Sequence, residues 1–96
     1  MQDAKKTAEF YARLKTQLEE HTTWPSLYLY KFIVPSDPAK IAAIVTLFEP
    51  LKGTVNTRES SKGSFTSVSV KVNMESPEAV IQKYLEVSNI EGVISL

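Results

Sequence analysis

Lys31 is the first residue to suggest chemistry. It puts a cation inside the run Leu27-Tyr28-Leu29-Tyr30-Lys31-Phe32-Ile33-Val34, where packing alone would select an apolar side chain. Further along, Ser60-Ser61-Lys62-Gly63 sets hydroxyls, an ammonium and a flexible amide side by side. Arg58 precedes that segment, and Ser67 and Ser69 follow it at alternate positions. Hydroxyl donors beside cations suit a carboxylate, a phosphate or an acidic protein segment. Lys31, Arg58, Ser61, Lys62, Gly63, Ser67 and Ser69 are therefore the candidate ligand or partner residues. The plain alternative is that Lys31 lays its stem over Leu29 and Ile33 with its ammonium in water, and that Ser61-Lys62-Gly63 is only a turn.

Other chemistries lack their parts. The chain has one His and no Cys, so disulfides, thiolate metal sites and Cys nucleophiles are excluded. No Asp/Glu cluster has metal-ligand spacing. His21 stands at the end of a helical stretch, where a cation complements the helix dipole. The serines have no base beside them in sequence. Neither G-x-x-x-x-G-K-[ST] nor G-x-G-x-x-G occurs. The reading is a non-enzyme without metal or cofactor.

The elements that position the candidates follow from periodicity. From Asp3 to Glu20 there is no Gly or Pro, and Thr7, Phe10, Tyr11, Leu14 and Leu18 recur at helical spacing. Pro25 breaks that helix, and the aromatic, β-branched run Leu27–Val34 reads as a strand closed by Pro35. Asp37-Pro38 starts a second helix with Ile41, Ile44, Val45 and Phe48 on one face, ended by Pro50 and Gly53. Thr54–Ser60 is a weaker strand, Ser61-Lys62-Gly63 a turn, and Phe65–Met74 a second strong strand. Ser76-Pro77-Glu78 caps a third helix with the stripe Val80, Ile81, Tyr84 and Leu85; Val93–Leu96 makes a final short strand.

The order is a helix followed by β-α-β-β-α-β. This predicts an α+β, ferredoxin-like βαββαβ sandwich with a four-stranded antiparallel sheet, two helices on one face and an extra N-terminal helix. Residues 1–23 read as that amphipathic helix and its connector, and 24–96 as the ferredoxin-like domain. The first and third strands, the most apolar, should be central. Alternation turns Tyr28, Tyr30, Phe32 and Val34 toward the helices, with Val68, Val70, Val72 and Met74 beside them. Leu27, Leu29 and Ile33 then share the open face with Lys31, Arg58, Ser67, Ser69 and Lys71. An apolar patch of that kind calls for a cover, either the N-terminal helix or another chain.

Composition narrows the partners. The chain has 96 residues, 43% of them hydrophobic and 23% charged, with a formal net charge of zero, which fits one soluble domain. A balanced charge counts against nucleic acid, and single-stranded RNA would need the aromatics of the first strand on the open face. No segment is long and apolar enough for a membrane helix, and the first residues lack the apolar core of a signal peptide, so the expected setting is the cytoplasm. Residues 31–71 carry a basic excess and 72–96 an acidic excess, which reads first as ordinary solvated faces, with self-association through opposite fields as the weaker alternative.

Three features together carry a family resemblance. They are Trp24-Pro25 with Tyr30-Lys31 beyond it, Ser60-Ser61-Lys62-Gly63 followed by Phe65 and Ser67-Val68-Ser69-Val70, and the βαββαβ order spanning both. Over about residues 24–96 the chain resembles the YbeD-like family of small bacterial domains of unknown function. That resemblance implies a fold like the ACT regulatory domain, and so a regulatory or protein-interaction module, with a small anionic ligand such as an amino acid as the second reading; the βαββαβ order, which RNA-recognition motifs share, raises single-stranded RNA as the third. The segment Asp37-Pro38-Ala39-Lys40 has Ala39 where the ACT ligand loop carries Gly, which counts against amino-acid binding in that manner.

Overall fold

The structure, a computed structural model, describes residues 4–96 of the chain and the side chains of residues 8–96. Asp3 and the side chains of Lys5, Lys6 and Thr7, part of the reading of the first helix, lie outside the described residues. The elements are α1 (Ala4–His21), β1 (Ser26–Pro35), α2 (Pro38–Phe48), β2 (Thr54–Glu59), β3 (Phe65–Met74), α3 (Pro77–Ser88) and β4 (Ile94–Ser95). They form one four-stranded antiparallel sheet in the order β2-β3-β1-β4. This is the ferredoxin-like arrangement with an added N-terminal helix, and the two most apolar strands are its centre.

Local chemistry sets the boundaries. The Asp37 carboxylate accepts from the Ala39 amide at 2.9 Å and Pro38 follows it, so α2 starts there. The Ser76 hydroxyl accepts from the Ala79 amide at 3.2 Å ahead of α3, with Pro77 in the first turn. α2 runs out through a 3-10 turn, Glu49–Leu51, after which Lys52 takes a left-handed conformation at φ 57°. Gly53 then passes so close to β3 that a Cβ there would stand 2.9 Å from the Val72 Cβ. At the β2–β3 hairpin Gly63 has φ 71°, and its amide donates to the Ser60 carbonyl at 2.9 Å.

The core lies between the sheet and the helices. Tyr30, Phe32, Val34, Val68, Val70, Val72 and Met74 are buried on the sheet side, against Ile44 and Phe48 of α2 and Val80, Tyr84 and Val87 of α3. The expected facing of both central strands is therefore the observed one. On α3 the buried stripe is Val80, Tyr84 and Val87, while Leu85 is exposed. The stripe follows the i, i+4, i+7 line through Val80, which carries Leu85 around the helix toward water. The polar atoms of the buried tyrosines are satisfied. Tyr30 donates to the Val80 carbonyl at 3.0 Å, and the Tyr28 and Tyr84 hydroxyls bond at 2.8 Å. Burial pushes the Tyr30 and Tyr84 phenols far above the usual tyrosine range.

Of the two covers expected for the open face, the N-terminal helix is not one. α1 packs beside α3 in the helical layer, on the opposite side of the sheet. Tyr11 meets the Tyr84 ring at a centroid distance of 6.2 Å, and Lys15 pairs with Glu78 at 3.2 Å. Tyr11, Leu14 and Leu18 pack against the core, and the Trp24 indole donates to the Leu18 carbonyl at 3.0 Å, tying the connector to the end of α1. The apolar stripe of α1 finds more apolar surface beside the tyrosines of α3 and β1 than the half-polar open face offers.

Candidate functional site

The strand register assembles most of the candidate residues in rows across the open face. Lys31 stands opposite Ser69, and Ser69 opposite Asn56. In the next row Ile33 faces Ser67, and Ser67 faces Arg58. In the row on the other side Leu29 faces Lys71. Three cations, Lys31, Arg58 and Lys71, thus share one face, and the one carboxylate side chain within the four strands, Glu59, has the opposite parity in β2. None of the three has a carboxylate within ion-pairing distance among the described residues. Between them stand four exposed apolar side chains, Leu27 (56%), Leu29 (61%), Phe65 (47%) and Ile94 (54%).

A hollow of about 270 Å³ lies on this face, lined by Ile33, Arg58, Glu59, Ser60, Phe65 and Ser67. The Ser67 hydroxyl donates to the Arg58 carbonyl at 3.4 Å, and the Ser60 hydroxyl accepts from the Phe65 amide at 3.2 Å. The hollow unites Arg58 and Ser67 of the candidate set. Lys31 and Ser69 lie in the adjoining row, outside its lining. Ser61, Lys62 and Gly63 form the hairpin tip and do not line it. Lys62 is exposed at this turn and makes no salt bridge among the described residues.

Four residues of the hollow, Ile33, Glu59, Ser60 and Phe65, are missing from the candidate set, although alternation had already put Ile33 on this face. Phe65 was legible, since it shares parity with Ser67 and Ser69 on the same strand. Glu59 was not, because it pairs with Thr66 and so has the opposite parity to Arg58, yet it lines the hollow. Tyr28, Tyr30 and Phe32 point to the helices and form no stacking platform on the open face. Among the described residues no group of three His, Cys, Asp or Glu side chains could hold a metal ion, and no helix is long and apolar enough to cross a membrane.

Comparison with known proteins places this geometry in a family. A UPF0250 protein of Shewanella halifaxensis is 29% identical over 83 residues, covering 83% of this chain and 94% of its own. One from Shewanella loihica is 31% identical over 83 residues, with the same coverage. One from Edwardsiella ictaluri is 32% identical over 83 residues, covering 83% of this chain and 95% of its own. No solved structure matches significantly. Neither the family description nor these names assign an activity. The model of the family described as "Protein of unknown function (DUF493)" matches residues 19–96, and the chain accordingly belongs to that family, the YbeD-like small bacterial domains.

Proposed function

We propose that the protein is a non-catalytic, regulatory protein-interaction module, ACT-like in architecture, that docks an acidic partner segment on its open sheet face. One observation carries this reading. Among the described residues Lys31, Arg58 and Lys71 have no ion-pair partner, and they stand with exposed Leu27, Leu29, Phe65 and Ile94 on a face that no described element covers. Apolar side chains there supply buried area, and the cations select partners of opposite sign. The test is retention of one identified partner by Lys31→Met and Arg58→Met. Both variants should keep the melting temperature of the wild type and lose the partner at matched salt. Unchanged retention with altered stability would reduce Lys31 to a packing role.

A second reading rests on the hollow at Arg58, Ser60 and Ser67, which would suit one small anionic group. A metabolite panel in a thermal-shift assay separates it from the first, since a ligand that binds only the folded state raises the melting temperature. A rise abolished by Arg58→Met favours the ligand; a flat panel favours the protein partner.

A further inference from the structure

β1 is ten residues long, but β4 pairs with it only at Phe32 and Ile33, and the Leu96 amide adds one bond to the Lys31 carbonyl at 2.9 Å. Backbone groups of a strand alternate sides. Since the Lys31 carbonyl points to the β4 side, those of Leu29 and Leu27 point there too. Among the described residues no strand pairs with them along that edge. An unpaired edge of this kind is a template for another strand.

The vacant stretch of edge adjoins an apolar pocket of about 220 Å³. Its walls are Phe10, Tyr11 and Leu14 of α1, Tyr28 of β1, Tyr84 of α3, and Ser95 and Leu96 at the end of β4. That volume lies below the ~300–1,000 Å³ usual for small-molecule sites, and its size suits side chains of a peptide. Phe10 stands beside it, more than half exposed.

We propose that an extended segment of another protein completes the sheet here, antiparallel to β1 and end to end with β4. Its residue opposite Leu29 exchanges both backbone hydrogen bonds, and that residue's side chain lies on the open face, diagonal to Lys31, where a carboxylate is favoured. The residues on either side of it point into the pocket and are apolar. The occupant is a lone strand and not a second copy of this chain. A second copy would bring its own helical layer into the space α1 already fills beside Tyr28 and Tyr84. This site uses the edge of β1 and stands or falls apart from the open-face reading.

The test selects a displayed library of random linear peptides against the full chain and examines the winners by amide hydrogen exchange and NMR shifts. Enriched peptides should alternate apolar with acidic residues, slow exchange of the Leu29 amide, and shift Leu27–Lys31, Tyr84 and Phe10. Methylating the peptide nitrogen that faces Leu29 should weaken binding about tenfold. Phe10→Asp, at a position more than half exposed, should weaken it as well while the melting temperature stays that of the wild type. Peptides without alternation, unchanged exchange at Leu29, shifts confined to Arg58, Ser67 and Ser69, or concentration-dependent dimers in place of peptide binding would each overturn the proposal.

Discussion

Replacing Tyr30 by Phe should produce stability curves that cross as pH rises. Tyr30 is fully buried, and its hydroxyl donates to the Val80 carbonyl at 3.0 Å. That carbonyl also sits inside α3, so it keeps its helical partner when the hydroxyl goes. The loss near neutral pH is then about 1 kcal/mol, one net hydrogen bond. Alkali works in the other direction. Burial holds the folded phenol far above the usual range, whereas in the unfolded chain it ionises near pH ~10. Above that pH the unfolded state binds fewer protons than the folded one, so the stabilisation is complete below pH ~10 and falls by about 1.4 kcal/mol per pH unit beyond it. Phe carries no such penalty. The deficit of the variant should vanish near pH ~10.7 and become an advantage of about 1 kcal/mol near pH ~11.5. Urea unfolding followed by circular dichroism at about four pH values between pH ~8 and ~11.5 gives both curves, and effects of Lys and Arg cancel in the difference. Parallel curves would mean that the Tyr30 hydroxyl ionises in the folded state, and the account of a sealed aromatic core would be wrong.

Two other substitutions probe the frame around the site. Phe32→Ala removes a ring buried between Tyr30 and Phe48 and should cost ~3–5 kcal/mol in urea unfolding, without changing the open face. Gly53→Ala sets a methyl against the Val72 Cβ and the Lys71 carbonyl; since neither can swing aside, a loss of ~1–3 kcal/mol in the same measurement is expected, and a neutral result would show that the close approach relaxes freely.

The sheet was legible because each of its signals was local. Tyr30, Phe32, Val68 and Val70 announce their side by alternation, and Asp37-Pro38 and Ser76-Pro77 mark helix starts by cap chemistry alone. The open-face rows were legible for the same reason, since parity puts Lys31, Ser67, Ser69 and Arg58 together once the strands are antiparallel. Register was not, and so the sequence could not show that Lys62 misses the hollow while Ser60 and Glu59 reach it. The position of α1 was equally hidden. Its stripe of Tyr11, Leu14 and Leu18 states that a surface is needed, and only the three-dimensional placement of Tyr28 and Tyr84 shows which. The shortness of β4 escaped as well, because Val93–Leu96 reads as strand throughout, whereas the strand is Ile94–Ser95 with one further bond from the Leu96 amide.

The order in which the strands meet has a kinetic side. β2 and β3 are joined by a tight hairpin, with Glu59 opposite Thr66. β1 and β3, the longest pairing, join residues far apart in the chain, from Pro35 with Phe65 to Ser26 with Met74. Loop closure of that kind is the slow step in folding, while a hairpin closes early. The Ser60–Phe65 turn therefore prepares β3 as a template before β1 arrives. A Cβ at residue 63 would meet nothing within 4 Å, yet the left-handed backbone there resists any other side chain. Gly63, whose only role in the finished molecule is to close the turn through its amide on the Ser60 carbonyl, thus earns its place in the time the chain takes to reach it.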